Sequence, residues 1–428
     1  MKTRILKNSG IEWIGQIPKH WEVIRNKYII NGIYSGGTPT SGQAEFYTDD
    51  ESGIPFVSIS DMSKTNYLEF TKTKVTKLGI ANKNLKILKP NTIIYSIYAT
   101  IGEVAEILCP ATISQALLAL FVKTSYNKQF YKYNLKAMKD FIFFQSNGNT
   151  QFNLNAKKIL NFYFVLPPLA EQERIAGFLD NKCASIDSSI ENLEQKTKSL
   201  AQYKKALITQ CVTKGLNPKI LEFKDSGIPW IGQIPKHWEV RPLYYFFKER
   251  KNKNLLGKEK NLLSLSYGKI IRKDIETKYG LLPENFNAYN IIEKDDIVFR
   301  FTDLQNDKVS LRTGLVCEKG IITSAYITIT PKRNICVSFY HYLLHCYDLM
   351  KVFYNFGNGV RQGLTYKELS KMKILVPPLN EQKEIAEFLD KKCEKIDNLS
   401  ANYKEQIKTL KEYKQALIYE CVTGKKQI

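Results

Sequence analysis

The chain has 428 residues, of which 43% are hydrophobic and 25% charged, a composition that excludes a disordered protein and allows two or more domains. Its 63 Lys and Arg residues outnumber its 42 Asp and Glu residues, and the formal net charge of +21 favours a polyanionic partner such as nucleic acid. The lysines are spread along the whole chain, so charge alone also fits a basic protein without such a partner. The longest apolar run, Leu117 to Val122, is too short to span a bilayer, and the first ten residues have no signal-peptide pattern, so we expect a cytoplasmic protein.

The first pattern along the chain is a segment that occurs twice. Its two copies together contain all four tryptophans of the chain, so we call it the tryptophan motif. Its first copy, residues 9–23, reads SGIEWIGQIPKHWEV, and its second copy, residues 226–240, differs at one position in fifteen. Two such copies indicate an internal repeat. Because both copies keep the motif while the sequences that follow them differ, we interpret its tryptophans and histidines as structural anchors and not as a ligand site.

The first insert, residues 24–165, has a mixed α/β pattern. It predicts strands at Ile54–Ile59, Thr92–Ile97 and Ala116–Val122, followed by a helix at Tyr126–Phe144. Base edges are read by small polar, amide and basic side chains on exposed loops, and phosphates by basic side chains or backbone N–H groups. By that composition the candidates for DNA contact, each of which also fits a solvated loop, are Ser35, Gly36, Gly37, Thr38, Ser60, Lys64, Tyr98, Thr100, Gln145, Asn147, Asn149 and Gln151.

Each insert is followed by a segment that begins near Pro-Pro and has the pattern of a long helix. The first copy reads LPPLAEQERIAGFLD from Leu166, and the second reads VPPLNEQKEIAEFLD from Val376, 210 positions later. Prolines before the helix, acidic residues in its first turn and apolar residues at three- and four-residue steps predict two helices with a heptad-like seam, ending at the repeated CVT of Cys211 and Cys421. If the two helices pack on each other, chain order makes them antiparallel.

The second insert, residues 241–375, is again mixed but unlike the first in sequence. It predicts strands at Asp296–Phe301, Thr313–Val316 and Ile321–Ile329 and a helix at Ser338–Val352. The candidates for DNA contact here are Lys251, Lys253, Arg300, Thr302, Gln305, Arg312, Asn358, Arg361 and Gln362.

Signatures of catalysis and of metal binding are weak. There is no GxxxxGK[ST] or GxGxxG loop, and Leu166 and Val376 stand where an amino-methyltransferase motif needs a polar residue before Pro-Pro. Asp274 with Glu276 and Lys278 only loosely resembles a nuclease triad. His341 and His345, at i and i+4 beside Cys346, allow a metal site, but we favour a packed helix because HExxH is missing. The eight cysteines form no CxxC pair. We therefore expect no cofactor and no metal.

The tryptophan motifs, the two PPLxEQ helices and several weaker motifs together resemble one protein family. The weaker motifs are GGTP at Gly36, ISQ at Ile113 and GVRQG at Gly359. The chain is similar to the specificity subunits of Type I restriction–modification systems. The resemblance covers nearly the whole chain and implies a non-catalytic protein that reads a bipartite, asymmetric site on double-stranded DNA and assembles with two methyltransferase subunits and with restriction subunits.

The resemblance also implies an α+β fold, in which two α/β target-recognition domains are separated by two long antiparallel, coiled-coil-like helices with pseudo-two-fold internal symmetry. We assign residues 1–165 and 216–375 to the recognition domains with their tryptophan motifs, and residues 166–215 and 376–428 to the spacer helices. The late part of each helix has more apolar residues than one seam needs. We expect some of these residues to bind methyltransferase helices, and the candidates are Leu207, Ile208, Leu417 and Ile418. The alternatives are a methyltransferase or nuclease in its own right, and a coiled-coil adaptor that does not bind DNA.

Overall fold

The computed structural model describes residues 5–62, 67–139, 141–142, 154–275, 285–301, 311–355 and 363–428. The chain divides into two compact units. The first unit consists of Met1–Asn192 and Glu405–Ile428, and the second of Leu193–Lys404. The domain ranges expected from the sequence treat the long helices as separate spacers, whereas each compact unit contains one segment of each helix.

The first unit is built on two sheets. The larger sheet has the strand order Ile30–Ser35, Leu117–Val122, Thr92–Ser96, Val104–Ile107 and Tyr67–Leu68, and the smaller has the order Thr112–Ile113, Ile54–Val57, Thr73–Val75 and Tyr47–Thr48. Two antiparallel pairs lie at the tryptophan motif, Leu6–Asn8 with Gln16–Pro18 and Glu22–Arg25 with Tyr163–Leu166. The short helices are Asn26–Ile29, Ile59–Met62, Lys77–Asn82, Lys128–Ala137 and Ala156–Leu160.

The second unit repeats the central part of this plan. Its four-stranded sheet has the order Phe247–Glu249, Ile327–Pro331, Ile297–Phe299 and Thr313–Leu315. In the first unit Ile30–Ser35 pairs with Leu117–Val122, the strand before the helix Lys128–Ala137. In the second unit Phe247–Glu249 pairs in the same way with Ile327–Pro331, the strand before the helix Val337–Leu349. The remaining antiparallel pairs are Phe223–Asp225 with Gln233–Pro235, Glu239–Pro242 with Lys373–Val376, Leu263–Ser266 with Lys269–Arg272, and Asn290–Ile292 with Gly320–Ile322. The short helices are Val337–Leu349 and Tyr366–Ser370.

Most of the predicted elements are present with small shifts of their ends. The helix expected at Tyr126–Phe144 is shorter, Lys128–Ala137, and residues 140, 143 and 144 of the expected range lie outside the described part of the chain. One further prediction is wrong. The single strand expected at Ile321–Ile329 is two strands, Gly320–Ile322 and Ile327–Pro331. The reason is a turn at Thr323, whose carbonyl oxygen accepts a hydrogen bond from Tyr326 N at 3.2 Å and whose Oγ1 accepts one from Ala325 N at 3.3 Å. A Thr that satisfies its own neighbouring backbone groups competes with the sheet in this way.

The two long helices, Leu169–Lys214 and Leu379–Val422, confirm the helix predictions. Within the first unit, Glu171 at the start of the first helix contacts His20, and Gly424 just beyond the second helix lies against Pro18. Further along, Asp187 pairs with Lys414 at 2.6 Å. Residue numbers rise along one helix as they fall along the other, so the two segments are antiparallel.

The second unit has the same arrangement, but there the second long helix begins and the first long helix ends. Glu381 contacts His237, Gly215 lies against Trp238, and Lys204 pairs with Asp397 at 2.7 Å. Each long helix therefore begins in one unit and ends in the other. None of the helices in the described part of the chain is both long and apolar enough to cross a membrane.

Candidate nucleic-acid interface and partner surface

The tryptophan motif is a structural clamp in both units, as interpreted from the sequence. Trp21 and Trp238 are fully buried. His20 Nε2 lies 2.8 Å from Glu171 Oε2, and His237 Nε2 lies 2.9 Å from Glu381 Oε2. The motif thus joins each insert to the first turn of the long helix that follows it.

Part of the excess positive charge is used inside the protein. Glu106 is 2% exposed and forms ion pairs with Lys128 and with Lys132, the latter at 3.1 Å. Burial alone raises the pKa of Glu106, but hydrogen bonds from the two lysines outweigh it and lower the pKa below its usual range. In the second unit, Arg250 Nε lies 2.6 Å from the buried carboxylate of Asp296. These cations balance buried acids and are not free for phosphate.

The Gly-Gly-Thr candidates of the first unit have a packing role. A Cβ atom on Gly36 would lie 2.2 Å from the carbonyl oxygen of Ser114, so only glycine fits there. Gly37 N donates to Ile113 O at 3.1 Å, and Thr38 Oγ1 accepts from Gln115 N at 3.4 Å. The structure therefore brings together two of the motifs noted in the sequence, GGTP and ISQ. Gly36, Gly37 and Thr38 are each half-exposed, so DNA contact at this position stays a prediction.

Tyr98 and Thr100 lie at the tip of a tight hairpin in the first unit. Ser96 Oγ closes this hairpin by donating to Thr100 O and accepting from Glu103 N at 2.9 Å. Tyr98 is 42% exposed, and Thr100 is also exposed. Ser35 and Ser60 are exposed as well, and Ser60 Oγ lies 2.8 Å from Ser58 Oγ. The hairpin is the most preorganised of these candidate contacts.

In the second unit the basic candidates divide into exposed and buried side chains. Lys251, Lys253 and Arg300 are exposed, although Lys251 pairs with Glu249 at 2.8 Å and Lys253 Nζ donates to Ala288 O at 2.8 Å. Arg312 is 2% exposed, and its Nη1 donates to Arg300 O at 3.0 Å. The proposed DNA contact of Arg312 is therefore corrected, because its guanidinium is enclosed by the protein.

Ten of the candidate residues lie outside the described part of the chain. They are Lys64, Gln145, Asn147, Asn149, Gln151, Thr302, Gln305, Asn358, Arg361 and Gln362. Glu276 and Lys278 of the loose nuclease pattern lie outside it too.

The two histidines at His341 and His345 are packed on the helix Val337–Leu349. Burial lowers the pKa of His341 to about 3 and that of His345 to about 4. Among the residues that the structure describes, no group of three or more His, Cys, Asp or Glu side chains is placed to hold a metal ion.

The apolar residues expected to bind a partner are mostly used by the protein itself. Ile208 is 2% exposed in the core of the second unit, and Leu417 and Ile418 are 2% and 6% exposed in the core of the first. Leu207 is half-buried against the same core as Ile208. The prediction is corrected for the three buried residues, since their side chains are closed to a partner.

Two tyrosines that the sequence analysis did not select are exposed at equivalent positions of the long helices. Tyr203 is 54% exposed and Tyr413 is 53% exposed. One turn further on, Ala206 and Ala416 are exposed too. The internal repeat could have identified these tyrosines. A large side chain that occurs in both copies but outside the buried helix seam is not needed for packing of that seam.

In the first unit, a groove of about 530 Å³ adjoins this helix surface. Trp13 forms one wall, with its ring stacked on Phe141 at 5.4 Å between centroids, and its carbonyl oxygen accepts a hydrogen bond from the Tyr419 hydroxyl at 2.7 Å. Ala137 and Ala416 complete the apolar lining, and Glu412 lies at the groove as well.

The chain is similar to known proteins along almost its whole length. Residues 18–201 and 235–409 each match a family described as Type I restriction modification DNA specificity domain. Among curated proteins, the chain is 26% identical to the putative type I restriction enzyme MjaX specificity subunit of Methanocaldococcus jannaschii, over 96% of this chain and 95% of the relative. It is 21% identical to the type I restriction enzyme EcoBI specificity subunit of Escherichia coli, over 88% of this chain and 81% of the relative.

Solved structures show the same fold. A chain from a structural study of complex assembly in the type I R-M system superposes with a TM-score of 0.63 at 15% identity, covering 95% of this chain and 98% of that one. The HsdS subunit of Thermoanaerobacter tengcongensis superposes with a TM-score of 0.50 at 15% identity, with the same coverage.

Proposed function

The chain belongs to the family of the Type I restriction modification DNA specificity domain, and we propose on this basis that it is the DNA-reading subunit of a Type I restriction–modification complex. It recognises a bipartite, asymmetric site on double-stranded DNA and holds two methyltransferase subunits and the restriction subunits in one assembly. It has no catalytic role of its own. It acts in the cytoplasm, on the DNA of its host cell.

The observation that carries this proposal is that one frame occurs twice around two different inserts. The tryptophan motif, the central strand pairing and the start of the long helix recur in both units. The loops between these elements differ in length and in sequence. Direct readout depends on the side chains of such loops. Two unlike sets of loops on a common frame therefore suit two unlike half-sites.

The exposed candidates provide the DNA-contacting surface of each unit. In the first unit these are the hairpin tip at Tyr98 and Thr100 together with Ser35 and Ser60, and in the second they include Arg300. The other polar and basic candidates, with the exception of Arg312, are proposed to contact DNA as well. Phosphate contact by Lys and Arg supplies most of the sequence-independent affinity, so affinity of the assembled complex falls steeply with salt.

The two methyltransferase subunits dock on equivalent helix surfaces, one at Tyr203 in the second unit and one at Tyr413 in the first. An exposed side chain has no internal packing reason to recur, so the recurrence of Tyr203 and Ala206 as Tyr413 and Ala416 supports an external contact made twice. Tyr is a frequent anchor in protein interfaces. The groove at Trp13 extends this surface in the first unit.

Methylation mapping tests the proposed function. The chain is co-expressed with its host's methyltransferase subunit, and methylated bases are mapped across a genome. We expect a split, non-palindromic motif. Replacing residues 24–165 with the first insert of a relative should change one half of the motif and leave the other half unchanged. A continuous or palindromic motif, or a change in both halves, contradicts the proposal.

A further inference from the structure

Two adjacent leucines in the second unit are exposed to a degree that internal packing does not explain. Leu255 and Leu256 are 72% and 77% exposed, in the loop between the strands Phe247–Glu249 and Leu263–Ser266. Burial of a leucine side chain stabilises a fold, so the protein forgoes this stabilisation at two neighbouring positions. Such a pair on a surface indicates a contact made with something else.

The loop that carries the leucines is closed at its base by one buried residue. Asn254 is 2% exposed, and its backbone N donates to Tyr289 O at 2.9 Å. Its side chain bridges to Glu259, with Nδ2 donating to Glu259 O at 2.9 Å and Oδ1 accepting from Glu259 N at 3.2 Å. Gly257, with a φ of 61°, donates from its N to Asn254 O at 2.8 Å. The four residues 255–258 therefore form a tight tip, and the leucines are held outward.

Positive charge surrounds this apolar tip. Lys251, Lys253, Lys258 and Lys260 lie within ten residues and are all exposed. The acid between them, Glu259, accepts hydrogen bonds at Oε1 from the backbone N of Lys260 and of Asn261, at 3.1 and 3.0 Å. An apolar tip flanked by lysines matches the surface of DNA at a groove, where phosphates lie on both sides of stacked bases.

We propose that Leu255 and Leu256 form a wedge that enters the DNA at a base step beside the half-site read by the second unit. The lysines hold the phosphates on either side, and the leucines partly unstack the step and kink the duplex. This role rests on the proposed function, and it adds specificity at a position that no side chain reads by hydrogen bonding. Flexible pyrimidine–purine steps should be favoured there, since they cost least to unstack.

DNA is favoured over a protein as the partner because the corresponding loop of the first unit has no such apolar tip. The corresponding loop, residues 36–45, follows the strand Ile30–Ser35 and contains no Leu, Ile, Val or Phe. A partner that binds both units in the same way uses surfaces present in both. A feature of one insert alone belongs with the half-site which that insert reads.

The test compares the assembled complex with a variant carrying Leu255→Ser and Leu256→Ser, on target DNA with 2-aminopurine placed at successive steps. The wild-type complex should raise 2-aminopurine fluorescence at one step in or beside one half-site, and the variant should not. The base extruded by the methyltransferase gives its own signal in both complexes and is subtracted by the comparison. Affinity of the variant for target DNA should fall by about ten-fold or more, whereas affinity for random DNA changes little.

Two further variants control this experiment. Ile220→Ser removes an equally exposed apolar side chain, 81% exposed, from a segment outside both inserts, and should leave fluorescence and affinity unchanged. Leu255→Met with Leu256→Met keeps an apolar tip and should restore the fluorescence signal.

Several outcomes overturn the wedge. A wild-type complex that methylates its split site without the additional unstacked step contradicts the wedge while the proposed function stands. Loss of subunit assembly in the serine variant assigns the leucines to a protein contact instead. A wild-type complex without sequence-specific binding contradicts the proposed function itself.

Discussion

Arg312 and Arg300 are neighbours in the second unit with opposite surroundings. Arg312 N donates to Asp348 Oδ2 at 2.7 Å, its Nη1 donates to Arg300 O at 3.0 Å, and its guanidinium lies 5.7 Å from the centroid of the Tyr354 ring. The side chain of Arg300 is exposed. One arginine is thus a cross-link within the fold, and the other is available to DNA.

Alanine at each of these arginines should separate the two roles. Arg312→Ala removes a charged donor from the part-buried hydrogen bond to Arg300 O, so the free energy of unfolding should fall by about 1–3 kcal/mol. Arg300→Ala should leave stability unchanged within about 0.5 kcal/mol and should weaken DNA binding. Urea unfolding and DNA titration of both variants check this. Weaker DNA binding by a fully stable Arg312→Ala protein would contradict the assignment.

Histidine burial gives the second unit a pH-dependent stability. The folded pKa values of His341 and His345, about 3 and about 4, lie below the ordinary value of 6.5. Above pH 6.5 both histidines are neutral in both states, and no stability is lost. As the pH falls below 6.5 the unfolded chain binds protons that the folded chain excludes, so the free energy of unfolding should decline by up to about 1.4 kcal/mol per pH unit for each histidine.

Replacing both histidines by Gln should flatten this decline between pH 6.5 and pH 4. Urea unfolding followed by tryptophan fluorescence at several pH values measures the slopes. Equal slopes for the double variant and the wild type would show that the two histidines are not the source.

The residues of the candidate interface were predictable only as far as residue type and loop position allow. Tyr98 and Arg300 were selected because they lie in segments with the composition of DNA-reading loops, and both are exposed. Arg312 met the same criteria and is buried, because its partner Asp348 lies 36 residues further along the chain, where no local pattern reveals it. Leu255 and Leu256 were missed because an apolar pair in a basic loop has no periodicity to mark it.

The long helices were the most predictable elements. Their starts are marked by Pro-Pro and acidic residues, and the apolar residues at four-residue steps along the first helix, Ile175, Leu179 and Cys183, are buried in the first unit. The surplus of apolar residues near their ends was also real, but its cause was misassigned. Ile208 packs with Trp238 in the core of the second unit, because each helix ends inside the core of one unit as well as beside the other helix. Such long-range packing leaves no trace in a heptad pattern.

The equivalent helix surfaces at Tyr203 and Tyr413 predict how the methyltransferase subunits bind. Replacing both Tyr203 and Tyr413 by Glu should block binding of both methyltransferase subunits, because each substitution places a charge at the centre of an interface. Either substitution alone should leave one methyltransferase subunit bound. Size-exclusion chromatography with light scattering gives the stoichiometry. Both tyrosines are about half exposed, so the free variant should unfold at the wild-type temperature.

The matched comparison is Ile208→Glu with Ile418→Glu. These side chains are buried, so this variant should unfold and not merely lose its partner. A folded Ile208→Glu, Ile418→Glu protein that fails to assemble, beside a Tyr variant that assembles normally, would return the partner site to the apolar residues.

At the scale of the whole molecule, each compact unit depends on two distant stretches of chain. The first unit joins the start of the first long helix to the end of the second, and Leu417 and Ile418 pack in the same core as Trp21 and Ile175. The second unit does the converse with Ile208, Trp238 and Ile385. Neither unit is a continuous segment that the sequence analysis delimited, although the repeat correctly indicated that the chain is built twice.

Because each unit joins the start of one long helix to the end of the other, we predict that the chain can be opened at a different link and still fold. The link from Lys214 to Asp225 joins the end of the first long helix to the second tryptophan motif, and a join between Ile428 and Met1 would supply the equivalent link in the first unit. Both ends of that link are already placed in the first unit, since Ile428 packs against its core and Leu6–Asn8 pairs with Gln16–Pro18. A permutant that joins Ile428 to Met1 and opens at the exposed Asn217 should fold and should direct methylation to the wild-type site. Opening instead at Val298, in a fully buried strand, should prevent folding. If the Asn217 permutant does not fold, or methylates a different sequence, the two halves are not interchangeable parts of one frame, and the antiparallel arrangement of the helices is contradicted.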